Sequence, residues 1–310
     1  AEGIEMSKNT VSGAKKNSYH VLRKLTPYLL IAPAIIGILM FTVYPMIKVV
    51  YLSFFKTNLI HPENTKFIGL DNYTKMFHSS AFTMAMKNTT VYSIVMIVAV
   101  LLFSLLLAVW LGSRNSPLDR FAQASVFVPH VISMVSVAMI FTQMMEPNFG
   151  VFNTVLTYLG LPTSQWLQSS SSSMASILLI SIWKHIGYYV LIFIAAFQSI
   201  PTSITEAASL DNAGRAKTLF KIMIPMISPQ IFFVLIVLTI GSFKVFDTIR
   251  LTTAGGPNNS TMSIVYYIYE WAFTNRDIGI GSAAAVVLMG IVGILTVLYF
   301  YALSKKVHYQ

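Results

Sequence analysis

The chain has 310 residues, of which 55% are hydrophobic and only 10% are charged. A soluble globular chain carries roughly 25% charged residues, so this composition is typical of a membrane protein. The sequence contains no cysteine, which excludes a disulfide framework and a thiolate metal site. The net charge of +10 would also suit nucleic-acid binding, and the distribution of the basic residues decides between the two.

Apolar segments of about 20 residues are long enough to cross a bilayer, and six of them follow one another along the chain. They are predicted at about 28–50, 89–111, 122–144, 176–197, 230–245 and 278–303. The third is read as one span despite Pro129, because prolines are tolerated where neighbours satisfy the freed carbonyls. The sequence therefore predicts an all-α membrane protein with one six-helix domain, residues 28–303.

Short tails are predicted at 1–27 and 304–310, and residues 1–5, before Met6, are excluded from the fold as an added segment. With a cytoplasmic N-terminus, 12 of the 21 Lys and Arg residues fall in inside segments and 6 in outside loops. This excess predicts that both termini are cytoplasmic. The positive charge is thus a topology signal, and we expect contact with membrane lipid but not with nucleic acid.

The cytoplasmic loop 198–228, between the fourth and fifth predicted spans, carries a spaced motif. Glu206-Ala207-Ala208 is followed by Ile222, one residue further by Ile224, and then by Pro225. This resembles the EAA loop of binding-protein-dependent ABC importer permeases: Glu-Ala-Ala, three residues, Gly, nine residues, Ile, one residue, Leu-Pro. Here Ile224 replaces the Leu.

The resemblance implies a type I importer permease fold in which this loop docks on an ATPase subunit. The coupling residues it implies are Glu206, Ala207, Ala208, Asn212, Gly214, Ile222 and Pro225. Asn212 stands where the family has Gly, and we expect a left-handed turn there, since Asn is the next most tolerant residue. We expect Glu206 to open the coupling helix, where the positive helix end favours its charge. Both alanines are expected to allow close approach to the ATPase.

The resemblance also implies partners: a second homologous permease, two ATPase subunits that bind ATP and Mg, and an extracytoplasmic solute-binding protein. Two outer segments, 67–73 and 251–257, resemble motifs of carbohydrate-class permeases, which include sugar and glycerol-3-phosphate permeases. The serine run 169–173 is interpreted as a flexible spacer.

The sequence does not indicate an enzyme. A phosphate-binding loop ends in Gly-Lys-Ser or Gly-Lys-Thr, and the chain contains no Gly-Lys dipeptide. No paired histidines or carboxylates predict a metal or catalytic site. The chain therefore needs no cofactor of its own, and ATP hydrolysis is expected in the partner subunits.

Polar residues in the fourth predicted span are candidate substrate ligands, because such groups usually face a cavity or a partner. Lys184, His185 and Tyr188 stand at helical spacing and combine an aromatic ring with hydrogen-bonding groups, which suits a sugar. Two interpretations of Lys184 stay open: it contacts an anionic solute, or it extends to the outer membrane interface.

Alignment to maltose-type permeases adds Leu238, Gly241, Ser242 and Val245 on the fifth span to the candidate substrate-binding set. These permeases have two asparagines on this span where the present chain has Ser242 and Val245, so a different solute is expected. Lys244 and Asp247 are predicted to pair with each other.

An ion-driven secondary transporter is the alternative class. It expects buried acidic residues, and of the 11 acidic residues only Asp247 lies near a membrane position.

Overall fold

The computed structural model describes residues 26–112 and 116–303, with side chains to residue 301. The predicted tails lie outside the described residues, except for 26 and 27. Contacts within the chain divide it into two units, one ending at Leu52 and one beginning at Ser53. The described part of the first unit is one apolar helix, α1 (Thr26–Leu52).

A π-helical turn, Leu39–Val43, interrupts α1. Pro45 lies two residues after it and lacks the backbone N–H that would continue the regular hydrogen-bond ladder. Such local widening lets a helix continue past a proline.

The second unit is helical, with a two-residue antiparallel pair, β1 (Phe55–Lys56) and β2 (Lys66–Phe67), in its first loop. Its helices are α2 (Asp71–Phe77), α3 (Ser80–Gly112), α4 (Pro117–Val131), α5 (Met134–Met144), α6 (Val151–Tyr158), α7 (Ser173–Gln198), α8 (Thr202–Leu210), α9 (Arg215–Thr218), α10 (Ser228–Phe243), α11 (Asp247–Thr252), α12 (Ile264–Tyr269) and α13 (Ile278–Leu303). After α9 the chain continues through a π turn, Leu219–Met223, and a single helical turn, Ile224–Met226.

Within the described residues, five helical segments are long and apolar enough to cross a membrane. They are α1, α3, α7, the path from α10 through α11, and α13. The pair of α4 and α5 makes a sixth if it is counted as one span. The predicted all-α membrane fold is therefore confirmed.

The third predicted span, 122–144, was expected to be one helix, but it consists of two. The axes of these two helices, α4 and α5, form a bend of 97°. At the break Ile132 and Ser133 adopt extended backbone with ψ of 138°. Pro129 lies in the last turn of α4 and cannot donate a hydrogen bond to the preceding turn. The helix continues for two residues after it and ends at Val131.

The core of the second unit lies where α3, α7 and α10 meet. Val100 of α3, Ile180 and Phe193 of α7, and Val234 of α10 are fully buried there. α4 approaches α7 so closely that a Cβ on Gly187 would overlap the backbone of Val126. Helices in membranes use such small residues to bring backbones together.

The serine run 169–173 is tied down rather than free, so the prediction of a flexible spacer is wrong. The Ser172 hydroxyl donates to the Trp166 carbonyl at 2.6 Å, and that of Ser170 donates to the Pro257 carbonyl at 3.3 Å. The Ser173 and Ser260 hydroxyls lie 2.8 Å apart. The composition of a serine run suggests a low-complexity segment. Composition carries no information about the distant residues to which these serines bind.

Gly187→Ala is expected to destabilise the protein, because the added methyl group would push α4 away from α7. Overpacking of this kind costs about 1–3 kcal/mol. Thermal unfolding of the purified chain in detergent measures the loss. Gly290→Ala on α13 is the matched control, since a Cβ there meets no atom within 4 Å. Equal stability of the two variants would contradict the close approach at Gly187.

Candidate functional site

A cavity of about 210 Å³ lies between α3, α5, α7, α10 and the start of α11. Six of the seven residues predicted to bind substrate line it: Lys184, His185, Leu238, Gly241, Ser242 and Val245. The cavity thus brings together residues of α7 and α10, which are separated in the sequence by the coupling loop. Their binding of a solute stays a prediction.

Tyr92 of α3 and Thr248 of α11, which were not predicted, line the same cavity. Tyr189 of α7 and Phe246, between α10 and α11, add two further aromatic rings to its wall. The cavity therefore combines aromatic surface with hydroxyl, imidazole, ammonium and carboxylate groups. Such a mixture suits a ligand with apolar faces and polar edges.

Tyr188, the seventh predicted residue, is not part of the cavity lining. Its ring stacks on that of His130 with centroids 4.8 Å apart and an interplanar angle of 16°. Tyr189 lines the cavity in its place. The i, i+4 spacing of His185 and Tyr189 was the signal that could have found this residue, since such pairs share a helix face.

The Lys184 ammonium is bonded to the end of α4. Its Nζ donates to the carbonyl oxygens of Ile132 at 2.6 Å, and of Pro129 and His130 at 3.3 Å. The side chain is only 9% exposed, so it does not extend to the membrane interface, and that interpretation is wrong. An ammonium has three donors, and all three have acceptors here. This arrangement disfavours an additional anion on Lys184, and the predicted substrate contact remains a prediction.

The tautomer of His185 follows from its backbone contact. Its Nδ1 lies 2.7 Å from the carbonyl oxygen of Ser181. A carbonyl can only accept, so Nδ1 carries the proton, and in the neutral ring Nε2 is left as an acceptor. A sugar hydroxyl is a suitable donor to such a nitrogen.

The fifth span contributes small and polar groups. The Ser242 hydroxyl donates to the Thr239 carbonyl at 3.0 Å and keeps its acceptor capacity. A Cβ on Gly241 would meet no atom within 4 Å, so this position leaves open space beside the cavity.

The predicted pair of Lys244 and Asp247 is wrong. The ion pairs recorded among the described residues are His61 with Glu63 and Lys75 with Asp71. α10 ends before Lys244, and α11 begins at Asp247. Because the helix is interrupted between them, the i, i+3 spacing does not place the two side chains on one face. Both instead line the cavity.

The coupling motif lies on α8 and the turn that follows it. α8 begins at Thr202, so Glu206 lies beyond its first turn and does not open the helix as predicted. Ala208 is 5% exposed and packs into this chain, whereas Glu206 and Ala207 are exposed. A partner can therefore reach Ala207 but not Ala208. Leu210, which sequence reasoning missed, is 83% exposed at the end of α8.

Asn212 has a φ of 53°, which confirms the predicted left-handed turn. Gly214 then precedes α9 in extended conformation, with φ of −61° and ψ of 154°. Ile222 lies in the π turn after α9, and Pro225 lies in the first turn of the helical segment that follows. The spaced motif thus marks a helix, a left-handed turn and a second helical segment.

Comparisons with known proteins identify the family. The family described as "binding-protein-dependent transport system inner membrane component" matches residues 104–309. The sn-glycerol-3-phosphate transport system permease protein UgpA of Escherichia coli (strain UTI89) is 35% identical, over 92% of this chain and 96% of UgpA. The arabinooligosaccharides transport system permease protein AraP of Halalkalibacterium halodurans is 31% identical, over 90% and 88%.

A solved structure has the same fold. It is the crystal structure of a bacterial alginate ABC transporter in complex with alginate pentasaccharide-bound periplasmic protein. One of its chains matches this protein with a TM-score of 0.81 and 25% identity, over 93% of this chain and 96% of that chain. The present chain belongs to the family of binding-protein-dependent transport system inner membrane components. It is a multi-pass permease of the ABC importer class, and the ion-driven alternative is not supported.

Asn212→Gly is expected to preserve the coupling turn, whereas Asn212→Val should disrupt it. A β-branched residue in a left-handed conformation costs about 1–2 kcal/mol, and glycine has no such cost. Arg215 and Lys217 are exposed just after the turn, so the rate of trypsin cleavage in this segment reports on its order. Faster cleavage than in the parent chain is expected for Asn212→Val but not for Asn212→Gly. Equal rates for Gly and Val would show that the turn does not depend on this conformation.

Proposed function

We propose that this chain and a second homologous permease together form the membrane path for a sugar, an oligosaccharide or a glycerol-3-phosphate-like solute. In this proposal an extracytoplasmic binding protein delivers the solute. Two ATPase subunits bind ATP and Mg, hydrolyse the ATP and drive the path between outward and inward states. The present chain supplies half of the path and one coupling loop, and it carries out no catalysis.

The single observation that carries the proposal is the cavity shared by α7 and α10. Two spans and the segment that follows α10 surround one space with aromatic rings and hydrogen-bonding groups. In secondary transporters, too, substrate sites lie near the middle of the membrane where interrupted helices meet. His185 and Ser242 offer acceptors for solute hydroxyls, and Tyr189 and Phe246 offer ring surface.

The charges of the cavity bear on the kind of solute. Lys244 and Asp247 both line it, and their opposite charges leave no strong excess of either sign. Lys184 adds a positive charge, but its donors are occupied by backbone carbonyls. The relatives UgpA and AraP are named for an anionic and a neutral solute, respectively. Both solutes are therefore the natural probes for this chain.

The coupling loop supports the ATPase part of the proposal. α8 exposes Glu206, Ala207 and the apolar side chain of Leu210. Phe220, in the π turn after α9, is a second apolar side chain that is 65% exposed. Apolar groups surrounded by polar ones are typical of protein interfaces. The proposed ATPase contact is therefore made by the exposed side of α8 and by the π turn.

Tyr189→Ala is expected to lower uptake because it removes aromatic surface from the cavity. Proteoliposomes are prepared with this chain, its cognate permease, its ATPases and its binding protein. Uptake of sn-glycerol 3-phosphate and of an arabinooligosaccharide is then measured. Loss of one stacking contact of about 1–1.5 kcal/mol corresponds to a fall of about five- to tenfold for the transported probe. Tyr158→Ala on α6 is the control, since Tyr158 is 90% exposed and outside the cavity. Equal uptake by both variants would place the path elsewhere.

Ala207→Trp is expected to uncouple transport, because a bulky side chain would prevent close approach of the ATPase to α8. Ala207→Ser keeps the side chain small and serves as the control. The measurement is co-purification of the ATPase together with stimulation of its activity by the loaded binding protein. Reduced ATPase recovery with Trp, but not with Ser, is the expected result. Normal recovery and stimulation with Trp would exclude a docking role for this face.

A further inference from the structure

The break between α4 and α5 creates a hydrogen-bonding problem that Lys184 solves. The last carbonyl groups of a helix have no partner within that helix. In a membrane such groups also lack water, and each unsatisfied one costs several kcal/mol. Here the carbonyls of Pro129, His130 and Ile132 all accept from the Lys184 ammonium. A cation at this end is also favoured by the helix dipole.

Close packing fixes where the ammonium is held. Gly187, three residues after Lys184, brings the α7 backbone against Val126 of α4. The two contacts lie on one side of α7, since residues three apart are neighbours on a helix. Gly187 thus sets the distance between the helices, and Lys184 binds the carbonyl end of α4 one turn away.

The anchored break leads directly into the cavity wall. α5 begins at Met134, which lines the cavity two residues after the Ile132 carbonyl. Its Sδ lies 3.9 Å from the hydroxyl oxygen of Thr248, which lines the cavity from α11. A shift of the break would therefore move Met134 and disturb its contact with α11.

We propose that Lys184 is a positioning residue: it holds α4 and α5 at their sharp bend and thereby shapes the wall of the cavity. Its charge serves the backbone of the broken span rather than an anionic solute. The structural part of this inference stands on the hydrogen bonds themselves, whereas its effect on transport rests on the proposed function.

The absence of native cysteine allows a direct test. Leu118→Cys on α4 and Met139→Cys on α5 introduce two spin labels at positions that are 75% and 70% exposed. The distance distribution between the labels, measured on the full chain in detergent, reports the bend. Lys184→Met is expected to shift or broaden the distribution, and Lys184→Arg should largely preserve it, because the guanidinium retains donors for the carbonyls.

Lys244→Met is the matched control for the bend. It removes a lysine from the lining of the same cavity but not from the break. A distribution unchanged by Lys244→Met, together with a broadened one for Lys184→Met, supports the positioning role. An unchanged distribution in Lys184→Met overturns it.

Transport distinguishes positioning from recognition of charge. Loss of the donors should lower the maximal rate of uptake by about tenfold or more for whichever probe is transported, anionic or neutral. Lys184→Arg should restore most of this rate, and the half-saturating concentration should change little. A loss confined to sn-glycerol 3-phosphate and expressed as weaker half-saturation would instead assign Lys184 to the solute and overturn the proposal.

A third variant keeps the test decisive if the Lys184→Met protein does not insert into the membrane. Lys184→Gln has no charge but keeps two amide donors. If donors are what matters, Gln should keep a narrower label distribution than Met, or accumulate in the membrane where Met does not. Equal broadening with Gln and Met, with Arg unchanged, would show that the break needs the cation itself, which also supports the positioning role; an unchanged distribution in Lys184→Gln and in Lys184→Met would overturn it. If the label distances change as expected while no probe is transported by the parent complex, the proposed solute class fails and the positioning role stands.

Discussion

Backbone hydrogen bonding inside a bilayer is the constraint on which the second unit depends. A continuous helix satisfies its own carbonyls, but a bent one does not. This chain bends its third span by 97° and meets the resulting need with a lysine from the neighbouring span. A buried lysine is expensive in isolation, and free carbonyls are expensive as well. Each removes the cost of the other, so the two features are stable only together.

The cavity is a consequence of such interruptions. α5 enters its wall because the third span breaks, and Lys244, Phe246 and Asp247 enter it because α10 ends before α11 begins. Irregular backbone at membrane depth is tolerated where it lines a cavity or is buried in protein. The regular helices α7 and α10 supply His185 and Ser242 to the cavity, and the breaks in the helical path add Lys244 and Asp247.

The sequence predicted the spans and the coupling motif because both depend on local signals. Apolar length identifies spans, and the spacing of Glu206 to Pro225 identifies the loop, including the left-handed conformation at Asn212. It could not predict the partner of Lys184, since three carbonyls more than fifty residues away carry no signal of their own in the amino-acid sequence. The sequence places Tyr188 and Tyr189 at helical spacing from Lys184 and His185, respectively, and the structure shows that Tyr189 lines the cavity. The Tyr188 ring instead stacks on His130, a partner on α4 that helical spacing on α7 does not reveal.

Asn212 also affects the ensemble from which the coupling turn forms. Glycine reaches positive φ without steric cost, but it loses more conformational entropy on ordering than any other residue. Asparagine has some steric strain in the turn, but it loses less conformational entropy than glycine when the turn forms. The two differences oppose each other and are each on the order of 1 kcal/mol. The chain can therefore replace the family glycine with little change in the fraction of molecules whose turn is already formed.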